Sequence, residues 1–215
     1  MKRRDFLKKS SKAVAGGLFL YTAELTIPRL VRTSTGVSYE AEKHFYGFVV
    51  DTKACIGCGR CVKACREENS VPDTFYRTWV ERFRIDRNEK VLVDSPNGAE
   101  DGFKPDDLDR DIEKAYFVPK LCNQCSHPNC VQVCPVGATY QTKDGVVLID
   151  AMYCVGCSYC VQACPYISRY IDHHCRGVAD KCTWCYLRLV RVLKPACVIS
   201  CPVGARKIGD LKDAA

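Results

Sequence analysis

Sixteen of the seventeen cysteines in this 215-residue chain fall into four quartets, and the gaps within each quartet restrict the fold more than any other property of the sequence. The first is Cys55-x₂-Cys58-x₂-Cys61-x₃-Cys65 and the second Cys122-x₂-Cys125-x₄-Cys130-x₃-Cys134. The third is Cys154-x₂-Cys157-x₂-Cys160-x₃-Cys164, and the fourth, Cys182-x₂-Cys185-x₁₁-Cys197-x₃-Cys201, has a stretched middle gap. Two residues between cysteines make a tight loop whose sulfurs turn toward a common centre, while such close neighbours rarely reach each other as a disulfide without strain. Four-thiolate zinc sites draw two ligands from each of two knuckles. Three closely spaced cysteines followed by a more distant fourth do not fit that scheme. Only Cys175 is left over.

The third quartet continues into Pro165 and matches in full the C-x₂-C-x₂-C-x₃-C-P ligand run of bacterial two-cluster ferredoxins, whose fourth cysteine ligates the other cluster. This resemblance implies that three thiolates of a quartet wrap one iron–sulfur cubane and that the fourth, on a short helix leading away, completes its neighbour. Carried onto this sequence, cluster A takes Cys55, Cys58, Cys61 and Cys201, and cluster B takes Cys65, Cys182, Cys185 and Cys197. Cluster C takes Cys122, Cys125, Cys130 and Cys164, and cluster D takes Cys134, Cys154, Cys157 and Cys160. Four [4Fe–4S] clusters are therefore expected, with iron the only metal, held by the same sixteen cysteines. Arg66 and Val198 stand after Cys65 and Cys197 where the pattern has proline. A proline there fixes the backbone as it leaves the cluster and supplies no ligand.

Short runs of strand character precede the ligand loops at 46–51, 115–119 and 146–150. Return strands are expected at 139–140 and 206–208, after the repeated Cys-Pro-Val-Gly-Ala of 134–138 and 201–205. The expected fold is α+β: two bacterial 2[4Fe–4S] ferredoxin-like lobes of short strands and helices with long connecting loops. Residues 44–66 and 180–211, from the two ends of the chain, make the first lobe and 115–175 the second, central one. Residues 67–114, free of cysteine and rich in Asp, Arg, Asn and Gly, read as a connector facing a partner or solvent.

The net charge of +7 is concentrated at the start of the chain. Residues 1–36 hold eight Lys and Arg against Asp5 and Glu24, so they carry six of the seven net positive charges. Each oxidised cluster with its thiolates adds about −2. The loaded body is then acidic, which excludes nucleic acid as a partner. The opening Arg3-Arg4-Asp5-Phe6-Leu7-Lys8 and the short, weakly apolar run after it are too polar for a membrane span. They resemble a twin-arginine leader, which addresses proteins for export already folded. Export after cluster insertion spares seventeen thiols from meeting an oxidising compartment unfolded. The expected location is the periplasmic side of the cytoplasmic membrane. Cleavage of the leader near Gly36 and its retention as an anchor both fit the sequence.

From about residue 44 to 211 the sequence resembles the four-cluster electron-transfer subunits of respiratory molybdopterin oxidoreductases, those of dimethyl sulfoxide, polysulfide and tetrathionate reductases and of formate-dependent nitrite reduction. The stretches Asp180-Lys-Cys-Thr-Trp-Cys-Tyr186 and Lys194-Pro-Ala-Cys-Val-Ile-Ser-Cys-Pro-Val-Gly-Ala205 carry the likeness. It implies a non-catalytic subunit that relays electrons between a molybdopterin-type catalytic subunit and a multi-pass quinone-reactive membrane subunit. Membrane association would come through those partners. A soluble periplasmic polyferredoxin and a hydrogenase-linked iron–sulfur subunit are the alternatives. An enzyme acting on substrate at a cluster would need an open ligand position, and none of the sixteen cysteines is missing.

Lys53, Arg60, Lys63, Lys181 and Arg188 lie close in sequence to ligand cysteines and are candidates to tune cluster potentials. Trp184 is expected to shield a cluster from water. Asp172-His173-His174-Cys175, His44 and His127 read as structural or surface residues, since no carboxylate or oxyanion device accompanies them.

Overall fold

The computed structural model describes residues 39–104, 111–174 and 176–213. The leader read at 1–36, Cys175 and the 105–110 part of the connector lie outside the described residues. Among the described residues no helix is long and apolar enough to cross a membrane. The architecture is mixed α/β, with small antiparallel sheets and short helices.

Strand β1 (Tyr46–Val50) pairs antiparallel with β9 (Arg206–Asp210), so that Phe48 faces Ile208 and Val50 faces Arg206 across the ladder. The first and last quartets are thereby brought together. His44 fastens the same seam: its Nδ1 lies 2.6 Å from Asp210 Oδ2, and its ring stacks between Tyr39 and Tyr46. In the middle of the sequence β5 (Thr139–Gln141) pairs with β6 (Val147–Ile149), and β7 (Arg169–Asp172) with β8 (Val178–Lys181). The expected strands before the ligand loops and after the Cys-Pro-Val-Gly-Ala repeats are all found; the β7–β8 hairpin is additional to them.

The segment read as a connector does more than connect. It forms β2 (Thr78–Asp86) and β3 (Val91–Asp94), and its last residues begin β4 (Ile112–Leu121), in an antiparallel sheet of order β3-β2-β4. Along β2 the buried side chains alternate as a half-buried strand requires, but two of them are Arg82 and Arg84. Arg82 donates from Nε and Nη2 to the two carboxylate oxygens of Asp94 at 3.0 and 2.8 Å, and its guanidinium lies over the Phe103 ring. This two-pronged pairing lets a charged residue occupy a core-facing position.

Helix α1 (Arg60–Asn69) turns Cys61, Val62 and Cys65 inward, the spacing of one helical face. The left-handed Ser70 ends it, with its N–H on Arg66 O. Helices α2 (Asn129–Gln132) and α3 (Tyr159–Gln162) pack against each other, as do α1 and α5 (Ala196–Ile199), while α4 (Tyr186–Leu189) follows the fourth CxxC. Pro128 and Pro195 sit at the N-caps of α2 and α5, where the missing N–H costs nothing. Two apolar groups form the core, one around Cys61, Val62, Val80, Ala99 and Cys197 and the other around Leu121, Val146, Cys182, Trp184 and Leu189. Cysteines occupy core places in both.

The repeat exposes one strained residue. Gly137 and Gly204, three residues after Cys134 and Cys201, have φ of +66° and +63°; Ile167 takes the same place after Cys164 with φ +54° and is 83% exposed. A left-handed backbone costs an L-residue about 1–2 kcal/mol, of which glycine's greater unfolded entropy gives back about 0.5–1. Ile167→Gly is therefore expected to stabilise the protein by roughly 0.5–1 kcal/mol. Slower bleaching of the visible absorbance in urea under anaerobic conditions checks it.

Candidate functional site

The four CxxC loops share one backbone feature. The residue before the second cysteine has positive φ in each: Gly57 +68°, Gln124 +47°, Gly156 +68° and Trp184 +53°. Where the residue is not glycine, its side chain is anchored. Gln124 donates to Cys182 O at 2.9 Å and accepts from Val147 N at 2.8 Å, and Trp184 is buried in the core against Leu121 and Leu189. The kinked loops, the turns that follow the last cysteines and strand β8 aim backbone N–H groups at sulfur. Trp184 N donates to Cys182 Sγ (3.4 Å), Thr139 N to Cys134 Sγ (3.4 Å), Ala179 N to Cys154 Sγ (3.4 Å) and Ala205 N to Cys201 Sγ (3.2 Å). Such donors stabilise a thiolate over a thiol and so favour ligation.

The thiols gather across quartets. Cys55 lies within electrostatic reach of Cys61 and Cys201, and Cys61 of Cys58 and Cys201. Cys65 is surrounded by Cys182, Cys197 and Cys185, and Asn69 Nδ2 spans from Cys65 Sγ (3.5 Å) to Cys185 Sγ (3.9 Å). Cys125 faces Cys122 and Cys164, and Cys130 faces Cys122. For Cys134, Cys154, Cys157 and Cys160, the packing of α2 on α3 brings the second and third quartets together. The gatherings also lie within electrostatic reach of one another, Cys197 of Cys61 and Cys182 of Cys122.

The chemistry of these donors fits the cubane that the sequence implies. Cys55, Cys58, Cys61, Cys65, Cys122, Cys125, Cys130, Cys134, Cys154, Cys157, Cys160, Cys164, Cys182, Cys185, Cys197 and Cys201 are all free of disulfides. Among the described residues no three His, Cys, Asp or Glu side chains converge tightly enough for one metal ion. A single zinc would draw its four sulfurs to within about 3.8 Å of one another, whereas a cubane ligated at its corners needs them farther apart. Burial pushes the Cys182 thiol up to about 11 and Cys197 up to about 12, and Cys65 further still. Burial likewise raises Cys55, Cys61, Cys125 and Cys130. Cys134 goes the other way: burial raises it, but the N–H groups of Thr139, Val136 and Ala138 outweigh that and hold it low. Thiols that keep their protons when free must release them on ligation, so loading is favoured as pH rises.

A further sign of an anionic occupant is Arg206. It is 2% exposed, Nη1 and Nη2 have no hydrogen-bond partner, and the groups around it are the thiols of Cys61, Cys197, Cys182 and Cys55. A buried guanidinium with both terminal nitrogens short of acceptors is costly unless negative charge sits beside it.

Of the five cations proposed for tuning, Lys181 is fully buried beside ligand thiols. Lys53 and Arg60 are exposed, Lys63 pairs with Asp101 on the surface, and Arg188 pairs with Glu68 at 2.9 Å. Sequence reasoning missed Arg169 and Arg206, although a signal was present: each stands five residues after the last cysteine of its quartet, Cys164 and Cys201. Trp184 is buried with Cys182 and touches Phe48, a position suited to excluding water. His127, His173 and His174 are exposed.

Residues 113–211 match a family described as a 4Fe-4S dicluster domain, and residues 54–138 match a second family of the same description. The sequence is 39% identical over 211 residues to a subunit of the tetrathionate reductase of Salmonella typhimurium, spanning 98% of this chain and 74% of that protein. It is 45% identical over 170 residues to a tetrathionate reductase subunit of Archaeoglobus fulgidus, spanning 79% and 69%. Identity to one component of the polysulfide reductase of Wolinella succinogenes is 39% over 169 residues, 78% of each protein.

Proposed function

Because this chain is a member of the 4Fe-4S dicluster family of iron–sulfur electron-transfer subunits of reductase complexes, we propose that it relays electrons between a quinone-reactive membrane subunit and a molybdopterin-type catalytic subunit, on the periplasmic side of the cytoplasmic membrane. Its cofactors are four [4Fe–4S] clusters. In the ligand assignment we favour, Cys55, Cys58, Cys61 and Cys201 hold cluster A, and Cys65, Cys182, Cys185 and Cys197 hold cluster B. Cys122, Cys125, Cys130 and Cys164 hold cluster C, and Cys134, Cys154, Cys157 and Cys160 hold cluster D. The observation that carries this reading is the crossing of thiols between quartets, with Cys65 among the cysteines of the last quartet and Cys201 among those of the first.

Bound clusters supply one-electron redox chemistry. The protein holds them in fixed order, donates N–H groups to their thiolates and keeps water from the buried side through Trp184 and its neighbours. The electrostatic reach between Cys61 and Cys197 and between Cys182 and Cys122, with the packing of α2 on α3, supports the order A, B, C, D.

Purified anaerobically in its native complex, the protein is expected to carry about sixteen irons and to accompany a larger molybdenum- or tungsten-containing polypeptide. Tetrathionate or polysulfide, the substrates in the relatives' names, should reoxidise the reduced protein only when that larger polypeptide is present. Nickel in place of molybdenum would turn the reading toward a hydrogenase. A stable monomer with no partner would turn it toward a free polyferredoxin.

A further inference from the structure

Three buried cations recur at the places where one set of ligand thiols meets the next. Arg206 lies among Cys55 and Cys61 of set A and Cys182 and Cys197 of set B. Lys181, 0% exposed, has Cys122 and Cys130 of set C and Cys182 of set B around it. Its Nζ donates to Val147 O, to Cys182 O at 2.8 Å and to Gln124 Oε1 at 3.5 Å, three acceptors for three ammonium protons. Arg169, 4% exposed, donates from Nη2 to Cys130 Sγ of set C at 3.0 Å and from Nη1 to Thr139 Oγ1 at 3.3 Å, and Thr139 N in turn donates to Cys134 Sγ of set D. Among the described residues no carboxylate forms an ion pair with any of the three. Elsewhere in the protein buried arginines do have a carboxylate, as Arg82 and Arg84 have Asp94.

We propose that Arg206, Lys181 and Arg169 act as junction cations, one between A and B, one between B and C and one between C and D, each raising the reduction potentials of the two clusters it separates. The proposal rests on the cluster assignment given above. Its physics is elementary. Each transfer takes one electron from one set and adds it to the next, so negative charge at the receiving set grows by one. A fixed positive charge at the boundary stabilises that added electron on either side, in a buried medium where screening is weak. Standing between the two sets, it also offsets their mutual repulsion when both are reduced. Sets B and C each face two such cations, sets A and D one.

The test is an EPR-monitored redox titration of the purified complex, with iron content measured first. Lys181→Met is expected to lower the potentials of B and C, Arg206→Gln those of A and B, and Arg169→Gln those of C and D. At a fixed potential the reduced-to-oxidised ratio of the two affected clusters should fall at least tenfold, about 59 mV for a one-electron couple, with the other two clusters unmoved. The charge-retaining Lys181→Arg, Arg206→Lys and Arg169→Lys should restore the native values. A neutral variant with full iron and unchanged potentials, or one in which all four clusters shift alike, overturns the proposal. So does loss of iron in the neutral and charge-retaining variants together, since the residues are then needed for packing and not for charge. A wild-type iron content far below about sixteen per polypeptide would instead sink the four-cluster reading on which the proposal stands.

Discussion

A Cys201→Ser variant is expected to lose or convert the same one of its four clusters as a Cys58→Ser variant, and a different one from a Cys185→Ser variant. By sequence position alone Cys201 belongs with Cys182, Cys185 and Cys197, so the outcome discriminates between ligation within a quartet and ligation across the sequence. The structure sets Cys201 beside Cys55 and Cys61, with Ala205 N donating to its sulfur at 3.2 Å, while Cys65 enters the group around Cys182. Iron should fall from about sixteen to about twelve per polypeptide, or to about fifteen if the cluster is converted to a three-iron form. Cys134→Ser and Cys157→Ser form the matching pair in the centre of the sequence. If Cys201→Ser and Cys185→Ser remove the same EPR signal, the exchange of ligands between quartets is wrong.

Gly59→Ser should prevent the first ligand loop from closing, whereas Ser158→Gly at the equivalent place in the third quartet should be neutral or stabilise by up to about 1 kcal/mol, for the reason given for Ile167→Gly. Both residues follow the second cysteine of their quartet and both have left-handed backbone, φ +72° at Gly59 and +64° at Ser158. The left-handed conformation is therefore tolerable for serine at this point of the loop. What differs is the neighbour. A Cβ on Gly59 would stand 2.1 Å from Ala99 O and 2.6 Å from Glu100 O. That turn has little freedom to withdraw, since Arg66 Nε holds Glu100 Oε1 at 2.9 Å and Ser95 Oγ donates to Val80 O at 2.6 Å. Backbone against side chain with no flexible end to yield puts the cost at about 3 kcal/mol or more. The measurements are yield of iron-loaded protein and rate of bleaching in urea. A Gly59→Ser variant as robust as its parent would show that the 95–101 turn moves freely.

The parts of the fold that are legible in the sequence are those that cysteines punctuate. Strands β1, β5, β6 and β9 are readable because short apolar runs end at ligand loops or follow Cys-Pro-Val-Gly-Ala. Strand β2 is not, because its inward positions include Arg82 and Arg84, whose burial depends on Asp94, a residue that pairing with β3 brings alongside. No hydropathy pattern encodes that. The same reason explains the mixed success with cations. Nearness in sequence to a cysteine selects Lys53, Arg60, Lys63 and Arg188, which lie at the surface or in surface-accessible pairs, together with Lys181, which is buried. Arg169 and Arg206 sit at the start of strands β7 and β9, and their burial is decided by the partners those strands acquire, Lys181 opposite Arg169 and Val50 opposite Arg206. Their common offset from Cys164 and Cys201 becomes meaningful only once the repeat is aligned by its last cysteine.

The antiparallel seam of β1 and β9 also dictates an order of events during synthesis. When Tyr46–Val50 leaves the ribosome, the strand that must lie against it has yet to be translated, and at about 5–20 residues per second the wait is on the order of ten seconds or longer. The central hairpins, by contrast, meet partners made a moment before or after them. Maturation is thus staggered: the nascent middle matures early, and the lobe built on β1 stays open until β9 has been translated.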